Sequence, residues 1–438
     1  MRNPRRRPKT HLGLGMILAS LFLLPALFPA PCQGADITLS SRTYLLYYER
    51  EIPGADDQKF APLYEYLSGD AGGISGKPLS FHFYGWGRVD LGDDTDDDGR
   101  EGELASAYLQ YLHPTGNAEM RLGRFFFAEG TAAEILDGVF LKARTPLGLG
   151  LSVFGGVPVE KTITSTDTGD SLVGGRLFFA QPGFAEIGVT YLLEDGEFLG
   201  DDREMVGGDL WIRPGNIPVE ITGRTSYNIS TSAIAQQRYV LRVMTFSRMD
   251  LSVGYEEYQY KDLFQTALHS AFLSPAIDND DEVQNIFAVV DIQVTSALTL
   301  TAGAKNIRHD KSDPGDATRV EAGLRYAYND RKDLAGLSAA VVSADRSENE
   351  YQEYRAFVIH TLGPLRLTLD ALTQRYEEDI NGSGIEDAYQ VVATAGYQVL
   401  PYLKLAGDLT YTRSPRFSED YAGLIKASLD LGTTTGGQ

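Results

Sequence analysis

The sequence predicts an all-β fold: a transmembrane, antiparallel, up-and-down β-barrel of about 20 strands, within a range of roughly 18 to 22. Three observations lead there. From residue 79 to residue 431 the chain alternates apolar and polar residues in stretches of a length that suits a tilted membrane strand, about 9–11 residues. Connections alternate between very short turns and longer acidic loops. Tyrosines, among them Tyr191, Tyr227, Tyr255, Tyr326, Tyr328 and Tyr411, recur near strand ends, where a membrane barrel carries its aromatic girdles.

The elements follow in chain order. Residues 1–34 have the form of a secretory signal peptide. Arg2, Arg5, Arg6, Arg7 and Lys9 give a basic start, an apolar run extends from Leu12 to about Phe28, and Cys32-Gln33-Gly34 places small residues before Ala35. Pro25, Pro29 and Pro31 break the run as a membrane helix, and Pro31 before Cys32 suits lipidation poorly. Cleavage after Gly34 would leave no cysteine, so no disulfide. Residues 35–78 form an N-terminal segment. In it 37–48 could add a strand of poor alternation, and 58–69 is expected to be a short amphipathic helix with Phe60, Leu63, Tyr64 and Leu67 on one face, at the lumen or the periplasmic mouth.

The barrel proper is expected over 79–431. In 79–91, Leu79, Phe81, Phe83, Val89 and Leu91 oppose Ser80, His82, Arg88 and Asp90. The same opposition recurs in 217–228, 317–328, 364–374 and 403–412. Nine short turns, near 114–117, 145–147, 181–183, 214–216, 247–249, 295–297, 329–333, 362–364 and 400–402, each join two strands. An opening strand at 79–91 and a closing strand at 421–431 complete an even number, with both termini on the short-turn, periplasmic side. Residues 432–438 are a tail without the terminal aromatic residue common in such barrels. A soluble β-sandwich also alternates, but strand length, tyrosine placement and the turn rhythm favour the membrane barrel.

The chain carries a net charge of −21 although its leader is basic. This excludes nucleic acid as a partner, which would require a basic face. Loops 92–103, 194–204, 276–282 and 376–387 hold seven, six, four and five acids against two bases, Arg100 and Arg203, so the charge belongs to one class of loop. Such a mouth would concentrate cations and would sit among outer-membrane lipid and lipopolysaccharide.

A barrel this wide has a lumen that side chains alone do not fill. The polar faces of the strands supply its expected pore-lining residues: Arg88, Arg121, Arg224, Arg238, Arg242, Lys305, Arg319, Glu321, Arg325, Arg366, Asp370, Lys404 and Asp408, with Asp209, Glu220, Glu256 and Asp291. Two readings stand side by side: charges that set solute preference, and cross-strand ion pairs that stiffen the wall.

In loop 92–103, Asp94, Asp96 and Asp98 precede Gly99 in the manner of a Ca²⁺ loop, but Ala105 stands where the closing glutamate is needed. No other cofactor is expected. The segment after Arg121, ending in FFFAEGTAAEILDG, is less charged than other outer loops, and 128–138 is expected to fold inward and narrow the pore. Enzyme signals are absent: there is no H-E-x-x-H, no G-x-S-x-G, and the six histidines show no ligand spacing. No C-x-x-C-H occurs, so no c-type haem attaches.

The stretches FHFYGWGRVDL, AYLQYLHPTGNAEMRLGRFFFAEGTAAEILDG and LGLSVFGGVPVE, spanning Leu79 to Pro158, resemble a family of outer-membrane, porin-like barrels of Geobacter-like bacteria. The resemblance implies one of two roles, a porin or the barrel sheath of a porin–cytochrome conduit with a multihaem cytochrome partner. The expectation is therefore a cation-preferring outer-membrane channel of a Gram-negative cell, passing small ions or polar solutes by passive diffusion. The alternatives are the conduit sheath and, more weakly, an outer-membrane barrel enzyme.

Overall fold

The computed structural model describes residues 36–433 apart from 51–57, 75–76, 93–99, 162–165, 169–170, 196–201, 216, 245–247, 265–280, 311–314, 379–383, 385 and 416. The expected leader, residues 434–438 of the expected tail, and Asp94, Asp96 and Asp98 lie outside the described residues, while residues 432 and 433 of that tail belong to the last wall strand.

Twenty-two strands form the wall. They are β1 (Asp36–Arg50), β2 (Pro62–Gly72), β3 (Leu79–Asp90), β4 (Arg100–Leu112), β5 (Ala118–Glu129), β6 (Ala132–Arg144) and β7 (Leu149–Lys161). Next come β8 (Ser171–Gln181), β9 (Ala185–Asp195), β10 (Arg203–Ile212), β11 (Val219–Asn228), β12 (Ala233–Val243), β13 (Met249–Gln259) and β14 (Glu282–Gln293). The last are β15 (Leu298–His309), β16 (Ala317–Tyr328), β17 (Asp333–Ala344), β18 (Tyr351–Leu362), β19 (Leu365–Tyr376), β20 (Asp387–Leu400), β21 (Leu403–Ser414) and β22 (Phe417–Thr433). A short helix α1 (Tyr260–Phe264) follows β13. Each strand pairs antiparallel with the next, and β22 closes on β1 from Ile37–Thr433 to Arg50–Asp420. Both ends of the described chain therefore lie at one end of the barrel.

The register explains the alternation. On one face the strands expose large apolar residues, among them Leu177 (64%), Ile425 (63%) and Leu409 (71%). The other face carries the charges. A largely apolar outer surface, closed without a free edge at the β22–β1 seam, is what hydrocarbon requires, since every backbone polar group there must find a partner within the protein. Tyr191, Tyr227, Tyr326 and Tyr411 stand on the outer face, as do Tyr255 and Tyr328. Among the described residues no helix is long and apolar enough to cross a membrane.

Three expectations need correction. Residues 58–69 are not a helix: Gln58–Phe60 and β2 are extended, and both pair with β1. Residues 37–48 lie within a full wall strand, so the barrel starts at β1, not at residue 79, and the count is 22. The cause is the same in both places. Tyr44, Leu46, Tyr48, Tyr64 and Tyr66 occupy the inner face, while Ser41, Thr43 and Glu65 occupy the outer, so period two is erased. Thirdly, the long-loop end is not uniformly long. Its connections at 130–131, 229–232 and 415–416 are tight.

All nine expected short turns occur, and a tenth, 73–78, joins β2 to β3. The turn after β16 holds Asn329, Asp330 and Arg331 at φ of 52°, 53° and 64°. Asn and Asp tolerate that left-handed region better than most residues, and Asn329 Nδ2 donates to Asp333 Oδ2 at 2.9 Å to fix the return.

The two faces differ sharply enough to test. Leu337 is exposed on the outer face of β17 and its neighbour Ser338 faces inward. In reversible unfolding from lipid, Leu337→Arg is expected to cost about 2–4 kcal/mol, and Ser338→Arg much less. Equal costs would mean that the faces are assigned wrongly.

Candidate functional site, the inner face of the barrel

The wall departs from regularity at one hairpin. β5 pairs with β4 only from Leu112–Glu119 to Ala107–Arg124. β6 pairs with β7 only up to Leu136–Pro158. Beyond these points β5 and β6 pair solely with each other, up to Glu129–Ala132, and the tip turns inward. Gly123 marks the bend, at φ +125°, where a Cβ would collide with the carbonyl oxygen of Ala107. Gly138 and Gly156 face each other at the same level, where side chains would collide with the facing backbone.

The folded hairpin lies across the inner face of β7–β10. A Cβ on Gly130 at its tip would meet Thr190, Asp209 and Arg176, and Thr131 packs over Gly207. Phe125, Phe127, Ala132, Leu136 and Phe140 meet Phe154, Leu172 and Leu192 in a buried apolar cluster. Burying rings such as Phe127 and Phe154, 4.3 Å apart, stabilises the fold by roughly 1.5–3 kcal/mol per side chain. The inward fold expected for 128–138 is thus present, as a β-hairpin and not as a loop.

Beneath the tip, Arg176 on β8 is almost fully buried, with its side chain 3% exposed. Its Nη1 donates to Glu186 at 2.8 Å and lies 3.6 Å from Glu129, and its Nε donates to Asp209 at 3.0 Å. Glu129, at the end of β5, also accepts from Lys142 Nζ at 2.7 Å and Ser152 Oγ at 3.1 Å. A second tether lies nearer the long-loop end. Arg203 on β10 bridges Glu134 of the hairpin and Glu194 of β9, at 2.8 and 3.1 Å. α1 packs beside it, with the Asp262 carbonyl accepting from Asn228 Nδ2 at 3.0 Å. At the gap left in the wall, Arg124 grips Asp137 with bonds of 2.7 and 2.6 Å and donates to the exposed Leu104 carbonyl at 3.1 Å.

Every residue predicted for the lumen shares the inner face, and the register divides them into two groups. Arg88 lies near Asp90 and Glu101, Arg121 pairs with Glu119, Arg242 with Asp250, and Arg319 with Glu321 and Glu353. Asp370 pairs with Arg355. In contrast, among the described residues Arg224, Arg238, Lys305, Arg325, Arg366 and Lys404 have no carboxylate within ion-pair reach. Arg224 and Arg238 are direct cross-strand neighbours and both exposed. Directly opposed like charges destabilise a sheet by roughly 0.2–1 kcal/mol; on their other sides the register sets Asp209 opposite Arg224 and Glu256 opposite Arg238, without an ion pair. Asp408 Oδ1 is buried without a hydrogen-bond partner.

Arg176, the centre of the tether, was not among the predicted lumen residues. It stands in LFF surroundings, and its inner neighbours Leu172 and Phe178 are themselves apolar, so no polar face shows in β8. Arg355 and Glu353 were missed likewise in YQEYRAFVIHTL. The usable signal was the arginine itself, alone among apolar residues at inner parity.

No protein-family model matches this chain, and no curated protein matches it. Solved structures of similar architecture include Pseudomonas aeruginosa OccK3 (OpdO), at 12% identity over 91% of this chain and 96% of that one, with a TM-score of 0.44. P. aeruginosa OccK2 (OpdF) in complex with glucuronate is at 14% identity over 91% and 98%, also at 0.44. The translocation pore of the P pilus usher PapC is at 12% identity over 91% and 100%, again at 0.44.

Two substitutions test the hairpin. Arg176→Met removes the cation shared by Glu186 and Asp209 and leaves Glu129 with Lys142 alone, and is expected to destabilise by on the order of 3–5 kcal/mol, measured by denaturant unfolding in detergent. Gly123→Val forces a β-branched residue to positive φ and is expected to cost about 1–3 kcal/mol. Unchanged stability in both would mean that the tip is not held in place.

Proposed function

We propose that this protein is an outer-membrane channel of a Gram-negative bacterium through which ions and small polar solutes diffuse passively. The observation that carries the reading is the closed wall of 22 strands, largely apolar outside and charged inside, whose inner cations Arg224 and Arg238 are exposed and make no ion pair among the described residues. Exposed inner side chains require water-filled space. The inward hairpin narrows that space on the side of β7–β10. It also occupies room that a threaded cytochrome would need, which favours a channel over a conduit sheath.

Thirteen residues are assigned to the pore lining: Arg88, Arg121, Arg224, Arg238, Arg242, Lys305, Arg319, Glu321, Arg325, Arg366, Asp370, Lys404 and Asp408. The paired ones stiffen the wall. The unpaired cations meet the solute. In front of them the acidic loops form the outer mouth and favour cations there, and the termini face the periplasm. A divalent ion at Asp94, Asp96 and Asp98 would bridge that mouth to lipopolysaccharide.

Purified protein in a planar bilayer under a salt gradient is expected to give steady conductance, with a reversal potential reporting net cation preference. Arg224→Glu with Arg238→Glu is expected to move the reversal potential further toward cations by several millivolts, a few-fold change in the permeability ratio. A well-folded but silent barrel would overturn the channel reading.

A further inference from the structure

On β1, β2 and β3 the inner face is not mainly charged: its cations Arg42 and Arg88 stand opposite Tyr66 and Tyr64. Five aromatic rings stand there instead, on adjacent strands: Tyr44 on β1, Tyr64 and Tyr66 on β2, Tyr84 and Trp86 on β3. The register sets Tyr44 opposite Tyr64 and Tyr66 opposite Trp86. Tyr66 lies 6.2 Å from Tyr64 and 6.4 Å from Tyr84, with ring planes within 17° and 15°. At that separation near-parallel rings do not cover one another's faces. Trp86 lies 6.5 Å from Tyr64, and Tyr44 meets Tyr66 edge-on at 5.5 Å.

An aromatic inner surface is the reverse of what a water-filled lumen favours, and these rings do not serve the hairpin. The buried apolar cluster lies under the hairpin on β5–β9 and reaches only as far as Tyr108. The side chain of Tyr84 is exposed, at 39% for the residue. The hydroxyls of Tyr44, Tyr64, Tyr66 and Tyr84 make no hydrogen bond to a protein group among the described residues. The surface thus offers broad ring faces together with four uncommitted hydroxyls.

We propose that this surface is a binding platform for the pyranose rings of a neutral saccharide, resting on the channel reading above. A pyranose has one face of C–H groups, which packs on an aromatic ring, and a rim of hydroxyls, which bonds to phenols. An acidic aromatic solute would need a free cation beside the rings. Three cations stand beside the rings: Arg42, opposite Tyr66, is committed to Asp430; Arg88, 5.7 Å over the Tyr64 ring, lies between Asp90 and Glu101; and Lys426, opposite Tyr44, rests 5.0 Å from that ring. A purely apolar solute would waste the hydroxyls. A hydroxyl-rich ring surface whose two arginines are already paired and whose lysine lies on a ring face fits a neutral sugar.

The test uses the full-length protein in a planar bilayer, with maltotriose as the probe and a polyethylene glycol of similar size as the inert comparison. Maltotriose is expected to block the current saturably at millimolar concentration, and the polymer only in proportion to its concentration. Tyr66→Ala and Tyr84→Ala are each expected to raise the half-blocking concentration about tenfold, and Tyr84→Phe by less. A conducting channel that maltotriose does not block saturably, or whose block ignores both alanine substitutions, overturns the platform and leaves the channel standing. Saturable block by benzoate in place of maltotriose reassigns the rings to an aromatic acid and overturns the saccharide. If the barrel does not conduct, the channel reading fails on its own. Binding is then read from Trp86 fluorescence in a Trp211→Phe variant, where saturable quenching by maltotriose upholds the platform and its absence overturns it.

Discussion

A backbone in hydrocarbon must satisfy its own hydrogen bonds, and the structure of this chain depends on that constraint. It forces closure of β22 on β1, so that each strand presents one face to lipid and one to the lumen. It also makes the β5–β6 hairpin conspicuous. Where that hairpin leaves the wall, β4 loses its neighbour over residues 100–106, and only the Arg124 guanidinium reaches across to the Leu104 carbonyl. Such a loss is tolerated only where something is gained elsewhere. The gain here is the apolar cluster around Phe125, Phe127 and Phe154 and the burial of the tip on Arg176.

The two halves of the inner face follow different physics. Over β5–β10 it behaves like the core of a soluble protein, with buried rings and one buried arginine shared among carboxylates, and every group is held. Over β11–β22 it is a charged wall, where some charges pair across strands and others are exposed without an ion pair among the described residues. Strands β1–β3 belong to neither, because their rings are neither covered by the hairpin nor replaced by charges. The inner face is thereby divided into three different surfaces.

How much was legible depended on whether a strand obeyed the simple rule of apolar outside and polar inside. In β16, Val320, Ala322 and Leu324 oppose Arg319, Glu321 and Arg325, and the strand, its faces and its lumen residues could all be read off. In β2, Tyr64 and Tyr66 face inward and Glu65 outward, held by Ser41 Oγ at 2.5 Å and Thr43 Oγ1 at 2.6 Å. There the alternation vanished and the spacing of Leu63, Tyr64 and Leu67 imitated a helix. In β8 the inner face is apolar because a hairpin from elsewhere in the chain covers it, so Arg176 carried no visible polar neighbours.

The sequence by itself determined the fold class, the short turns, the location of the acidic loops and the identity of most inner charges. These follow from local period and turn chemistry, which any short window of the chain contains. Only the tertiary structure decided the strand count, the inward seat of the hairpin, which inner charges are paired, and the gathering of five rings on β1–β3. Each of these depends on which residues stand opposite one another across strands, and that register is set when the sheet closes on itself.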